Sequence, residues 1–269
     1  VFGNNDTPGV MLSSAAKEYM KVYGVLVGKK PLIFTNNDSG YETAIEFKKN
    51  GVNPLILDTR KEPSSDIITE AKNLGIDIKF SYVVVAAKGY KKVKSADIAK
   101  ISENKKDLSN IENIECDCIC VSGFWTPSIH LASQSGNKSE FNEKIDAFIP
   151  KKSKQKENTI GSANGKFTLE ETINEAFDKG YEVSNKITEN NNKVSIPTVV
   201  EKKSTEHDKF WCVPLPKGKS YKRFLDFQND VAVTDIELAL REGFRSIEHV
   251  KRYTTLGMAT DQGLSLIHI

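Results

Sequence analysis

The chain lacks the features that would commit it to a membrane, to nucleic acid or to an oxidising compartment. None of its 269 residues fall in an unbroken apolar run of the roughly 18 positions that a membrane-crossing helix requires. Lysine and arginine total 38 against 36 aspartates and glutamates, a net charge of +2, so no field of one sign is present to gather a polyanion. There are only 4 cysteines and no Cys-x-x-Cys pair, which excludes a dithiol redox motif and a secreted disulfide framework. Cys116, Cys118 and Cys120 alternate within Glu-Cys-Asp-Cys-Ile-Cys, a spacing that puts all three on one face of a strand. With no His or further Cys nearby they read as small buried hydrophobes rather than as a metal set. A reducing, cytoplasmic location is the expectation. What remains is 38% hydrophobic and 28% charged, an ordinary composition with room for one large domain or two.

Residues 30–60 carry the clearest pattern. Pro31–Thr35 reads as a short apolar strand, Ser39–Lys49 as a helix stopped by Gly51, and Pro54–Asp58 as a second strand, together a βαβ unit. Asp58 ends that second strand, 20 positions after Asp38, where a dinucleotide fold places its ribose-binding acid. The intervening loop, Thr35-Asn36-Asn37-Asp38-Ser39-Gly40, matches Gly-x-Gly-x-x-Gly only at Gly40. Thr35 and Asn37 stand at the two glycine positions that make the turn and admit a pyrophosphate. Asp38 adds a negative charge where a phosphate would sit. The pattern predicts a nucleotide fold with a poor nucleotide site.

Around this unit, Met11–Tyr23 is helical in spacing, Ser64–Leu74 is a further helix stopped by Gly75, and Ile76–Ala87 is strand-like about Val83–Val85. Gly89–Lys94 turns back, Asn104–Ser109 is a polar loop, and Ile114–Gly123 is a strand leading into Gly123-Phe124-Trp125-Thr126-Pro127. His130 follows Pro127 at an apolar helix start and is expected as a packed or capping residue, not a base. Pro150–Asn158 is a lysine-rich surface loop. Gly161-Ser162-Ala163-Asn164-Gly165 then precedes Thr168–Glu171, a capping-box pattern opening a helix that Gly180 should end. Such a glycine-bearing helix start suits an anion. Val183–Asp208 is polar and reads as a tether.

The C-terminal part, Phe224–Gly263, reads as two short helices. Thr234 and Glu237 would cap the first, Ile236, Ala239 and Leu240 share its face, and Gly243 stops it. Ser246 caps the second, Ile247 and Val250 are its apolar positions, and Gly257 ends it. This stretch resembles the small [2Fe–2S] domain of bacterioferritin-associated ferredoxin type, yet Asp226, Gln228 and Asp261 occupy ligand positions that such clusters fill with thiolates.

Several phrases carry family resemblance. Thr7-Pro8-Gly9-Val10-Met11-Leu12 resembles the segment joining the two nucleotide folds of flavoprotein reductases. Val121–Gln134, with Val-Ser-Gly-Phe-Trp-Thr-Pro-Ser-Ile-His-Leu, and Phe224–Gly263 resemble the α subunit of heterotetrameric sarcosine oxidase, a likeness that extends over nearly all of residues 1–263. The resemblance implies an α/β fold: a partial two-dinucleotide, disulfide-reductase-like domain over 1–183, a linker over 184–208, and a helical, cluster-less module over 209–263. Leu264–Ile269 resembles translated sequencing-adapter text and is set aside.

The same resemblance implies NAD in this subunit, contacted by Gly123, Phe124, Trp125, Thr126, Gly161, Ser162, Asn164 and Gly165. It implies FAD and FMN through a β subunit, tetrahydrofolate in a C-terminal domain beyond this stretch, and no Fe–S cluster. The partners would be β, γ and δ subunits. The expected activity of the whole is demethylation of sarcosine to glycine, with O2 reduced to H2O2 and the one-carbon unit passed to tetrahydrofolate. No residue here is expected to be catalytic or to bind metal. The alternatives are the α subunit of a related amine or opine dehydrogenase, and a DNA-reading helix–turn–helix using Arg245, Lys251 and Arg252.

Overall fold

Leu32, Ile33 and Phe34 are apolar on both sides of one strand, and each side is buried against a different layer. That strand, β2 (Pro31–Thr35), is the middle of a five-stranded parallel sheet built from β1 (Val10–Leu12), β3 (Leu55–Asp58), β4 (Asp77–Phe80) and β8 (Cys118–Ser122), in the order β1-β8-β2-β3-β4. The computed structural model describes residues 1–151, 153, 155–188, 195–199 and 207–258. These divide into two compact units: residues 1–124 with 207–258, and the described residues of 125–199. The packing units cut across the boundaries drawn from sequence at 183 and 208.

Period-two alternation sorts the side chains of the sheet. Ile33, Ile56, Cys118 and Cys120 face a layer of α1 (Ser13–Lys21), α2 (Ser39–Lys49) and α3 (Asp66–Asn73), through Ala16, Met20, Ala44, Phe47, Ile68 and Ala71. Leu32, Phe34, Leu57 and Ile119 face the other way, onto a three-stranded antiparallel sheet of β5 (Tyr82–Lys88), β6 (Ser95–Ile101) and β7 (Leu108–Glu115).

The βαβ unit agrees with the sequence-based bounds to within a residue, and Gly51 and Gly75 follow their helices at φ +77° and +67°. Four local expectations are corrected. Met11 and Leu12, expected to open a helix, instead belong with Val10 to a strand that pairs in parallel with Ile119–Val121. The segment 76–87 is two strands in different sheets, separated where Ser81 takes φ +57°. The strand expected over Ile114–Gly123 begins only at Cys118, Ile114 and Glu115 belonging to β7. Cys116 therefore packs on the antiparallel side while Cys118 and Cys120 pack on the helical side, so the three do not share a face. All three are buried, and burial pushes the Cys116 thiol up to about 12.

The second unit holds α4 (His130–Gln134), a hairpin of β9 (Ser139–Asn142) and β10 (Ala147–Pro150), a 3-10 turn over Gly161–Asn164, and α5 (Leu169–Thr188). His130 is exposed, neither packed nor bonded as a cap. Gly180 does not end α5. The helix continues because Glu182 pairs with both Lys179 and Lys186 one turn either side, which offsets part of the roughly 1 kcal/mol glycine cost. Of the tether, 189–194 and 200–206 lie outside the described residues, as do Asp261 and Leu264–Ile269.

The returning chain is part of the first unit. The Val213 N–H donates to the Val1 carbonyl, and Val213 is buried in the core. The Asn5 side chain exchanges two hydrogen bonds with the Phe224 backbone, at 2.9 and 2.8 Å, and so anchors β11 (Phe224–Asp226), which pairs with β12 (Val231–Ala232). Two helices follow, α6 (Val233–Arg241) and α7 (Ile247–Thr254). Here α6 starts a residue before Thr234, and Asp235, not Glu237, accepts the capping bond from the Ala232 N–H at 2.8 Å. Ala239 is buried while Leu240 is exposed. Gly243 does stop α6, at φ +93°.

Gly40 is the one motif glycine retained, and the packing accounts for it. A Cβ there would lie 2.6 Å from the Thr35 Cβ, where α2 crosses β2. Gly40→Ala should therefore lower unfolding stability in urea by about 1–3 kcal/mol. Gly123→Ala, where a Cβ meets nothing within 4 Å, should change it by no more than about 0.5 kcal/mol. Equal effects would contradict this close approach.

Candidate functional site

In open parallel sheets, ligands bind in the crevice beyond the carboxyl ends of the strands. Here that crevice is bounded by the β2–α2 loop and the ends of β3 and β8. Asp58, the expected ribose acid, is fully buried. It accepts from the Tyr41 hydroxyl at 2.6 Å, from the Arg60 N–H at 2.9 Å, and from the Arg60 guanidinium Nη2 at 2.8 Å and Nε at 3.0 Å. Arg60 Nη1 reaches Asp38 at 2.8 Å. Burial works against the charge on Arg60, but bonds and charge from Asp58, then Asp38, outweigh it and raise the guanidinium's pKa. Burial and the neighbouring Asp58 raise that of Tyr41 as well.

The loop is equally self-satisfied. Thr35 Oγ1 donates to the Asn37 carbonyl at 2.8 Å and accepts from the Asn37 N–H at 3.2 Å. Asn37 Oδ1 accepts from the Ser39 N–H at 2.9 Å and the Ser39 hydroxyl at 2.6 Å, while its amide group donates to the Gly123 carbonyl. The first helical N–H and the positive end of α2 are thus met by Asn37 and Asp38, so the loop does not fit a pyrophosphate. Sequence reasoning flagged Asp38 and Asp58 but missed Arg60 and Tyr41. The available signal was an arginine two positions after a strand-end aspartate.

The eight proposed contact residues fall in both units. Gly123 is exposed at the end of β8. Phe124 stacks on His207 with ring centroids 3.6 Å apart and meets Trp211 edge-on. Trp125 and Thr126 are exposed in the second unit. Gly161, Ser162, Asn164 and Gly165 form one turn, with Gly161 and Gly165 at φ +66° and +77°. Glu175, from α5, holds that turn: its carboxylate accepts from the Gly161 N–H at 2.7 Å and from Asn164 Nδ2 at 2.6 Å. A phosphate could take the Gly161 N–H only by displacing Glu175. Asn164 also opens onto a groove of about 1000 Å³ lined by Lys151, Lys156, Lys179 and Lys186, with Glu157 and Glu182 opposing them.

In the C-terminal part, Asp226 is buried and acts as a cross-link. Its carboxylate accepts from the N–H groups of Gln228 at 2.8 Å, Asn229 at 3.2 Å and Gly257 at 2.8 Å, and from Asn229 Nδ2 at 3.1 Å. Burial alone would raise its pKa. The bonds from Gly257, Asn229 and Gln228 overcome that and hold it below the usual carboxylate range.

A parallel sheet with helices on one face and an antiparallel sheet on the other defines a mixed α/β protein of the dinucleotide-fold class. Its architecture is similar to that of an L-proline dehydrogenase from P. horikoshii, with a TM-score of 0.54 at 19% identity, over 98% of this chain and 47% of that one. Residues 220–268 match the family described as the sarcosine oxidase A3 domain. The chain is 33% identical over 265 residues to the sarcosine oxidase subunit alpha of Rhizobium meliloti (strain 1021), and 28% identical over 269 residues to that of Corynebacterium sp. (strain P-1). Each alignment covers 98% of this chain, which spans 25% and 28% of those proteins. Over nearly its whole length, the chain is thus similar to about a quarter of the sarcosine oxidase α subunit.

Two outcomes follow from the carboxylates. Arg60→Met strands Asp58 in the interior and should cost about 3–5 kcal/mol in urea unfolding, whereas Lys61→Met, in an exposed pair with Glu103, should leave the midpoint unchanged. Because the folded-state pKa of Asp226 is depressed, its contribution is complete above the unfolded value of about 3.9. It is lost as pH falls through the lower folded value. Urea midpoints measured between pH 7 and pH 3 should converge for wild type and Asp226→Asn at the acid end; a constant gap would contradict the linkage.

Proposed function

We propose that this stretch is the NAD-associated, non-catalytic scaffold of the α subunit of a sarcosine oxidase complex. The complex as a whole would demethylate sarcosine to glycine, reduce O2 to H2O2 and hand the one-carbon unit to tetrahydrofolate. FAD and FMN would be supplied through a β subunit, and folate would be bound in a part of the α subunit outside these residues. The β, γ and δ subunits are the partners proposed, and the cytoplasm the location. The observation that carries the scaffold reading is the Asp38–Arg60–Asp58 closure, which fills the second nucleotide fold with protein groups.

NAD is proposed at the Gly161–Gly165 turn and the lysine-lined groove beside it. The groove's volume falls within the range of cofactor pockets. Asn164 and Lys156 are the donors suited to its pyrophosphate, with Glu175 fixing the turn. NAD would supply hydride chemistry when bound; these residues bind and orient it and move no proton. The roles of Gly123, Phe124, Trp125 and Thr126 rest on the family resemblance.

The module over 209–263 is proposed as a ferredoxin-type domain without its cluster. Support comes from Asp226, which uses its oxygens to tie the turn at 226–229 to Gly257, as a ligand bridging the two would. Amine and opine dehydrogenase relatives would need thiolates at Asp226 and Gln228.

The test is calorimetric titration of the chain with NAD. Lys156→Glu should weaken binding about tenfold, the loss of one charge-assisted contact. Unchanged affinity would remove NAD from the groove. The same preparation, after iron and sulfide reconstitution, should show no broad band between about 400 and 500 nm from cluster thiolate charge transfer, and it should not oxidise sarcosine alone.

A further inference from the structure

Beyond the closed loop, the crevice still holds a cavity of about 360 Å³, and polar side-chain atoms of its lining residues have no hydrogen-bond partner. Thr59 is only 6% exposed and its Oγ1 has no partner; Asp208 Oδ2 is buried and has none either. Asp208 is held firmly. Its N–H donates to the Asn36 carbonyl and its own carbonyl accepts from Asn36 Nδ2, both at 2.8 Å, while Oδ1 pairs with Lys105. An ionised carboxylate only accepts, whereas a threonine hydroxyl both donates and accepts. The group that completes this site must bring at least one O–H or N–H to Asp208 and a hydroxyl-like partner to Thr59.

From this we infer that the cavity is a mononucleotide site, in which Asp208 and Thr59 take the 2′- and 3′-hydroxyls of a ribose and Lys61 takes the phosphate. A vicinal diol offers two hydroxyls, one for each of the two unpartnered atoms. Lys61 stands at the rim, and its pair with Glu103 has both side chains about four-fifths exposed, at 79% and 85%. So weak a pair yields readily to a phosphate. A dinucleotide is excluded, because the loop that would seat its pyrophosphate is filled by Asn37 and Asp38. The ribose acid has in effect moved from Asp58, which Arg60 and Tyr41 occupy, to Asp208 on the returning chain. This site is independent of the NAD groove, which lies wholly in the other unit.

The test is a 1H–15N correlation titration of the 269-residue chain with AMP, 2′-deoxy-AMP, ribose 5-phosphate, orthophosphate and NAD. Saturable shifts at the amides of Thr59, Ser81 and Asp208 are expected with AMP and with ribose 5-phosphate, and at least tenfold weaker binding with 2′-deoxy-AMP. Thr59→Val, which keeps the side-chain shape, and Asp208→Asn should each weaken AMP at least tenfold with the rest of the spectrum unchanged. Absence of saturable shifts overturns the proposal. So does equal binding of AMP and its deoxy form, or an orthophosphate response that accounts for the whole effect, since a phosphate on lysine would then suffice. NAD shifts confined to Gly161–Asn164 would uphold the groove and, without an AMP response at Thr59, still overturn this site.

Discussion

A guanidinium buried between two carboxylates organises the larger unit. Arg60 is 8% exposed and ties Asp58, at the end of one strand, to Asp38, at the start of the helix that crosses back to it. Its backbone carbonyl also accepts from the Ser81 N–H at 3.1 Å, where the chain leaves the parallel sheet for the antiparallel one. The charges are costly to bury singly and acceptable only together. The Asn37 and Ser39 N–H groups of the loop and the strand-end acid Asp58 are all committed to the protein itself.

A buried carboxylate also holds the C-terminal part together, Asp226 tying its own turn to Gly257 through both oxygens. In the second unit Glu175 holds the Gly161 turn by the N–H that suits a phosphate. Asn37, Glu175 and Asp226 all place a side-chain oxygen at a backbone donor that a ligand could otherwise claim.

Much of the architecture was legible in the sequence where one local signal governed. The βαβ unit over 30–60 combined hydrophobic runs, glycine stops and a strand-end acid, and each survived in the structure. Legibility failed where a distant partner decided the outcome. Met11 and Leu12 fit helical spacing but are strand because β8 lies beside them, and Ile76–Ala87 splits because two sheets compete for it. Gly180 looked like a helix stop, yet the ion pairs of Glu182 span it. The candidate site was legible only as a defect: missing glycines announced a poor pyrophosphate cradle, but that Arg60 and Tyr41 close it depends on contacts 17 to 22 positions apart, which no motif specifies.

The most direct measurement is hydrogen–deuterium exchange of the amides of residues 37–41 in the presence of saturating NAD and, separately, NADP. If the nucleotide fold is sealed by Arg60 and its two carboxylates, neither dinucleotide changes exchange at Ser39 or Gly40. Clear protection there would mean that the loop opens to seat a pyrophosphate, and the scaffold reading of this unit would fall.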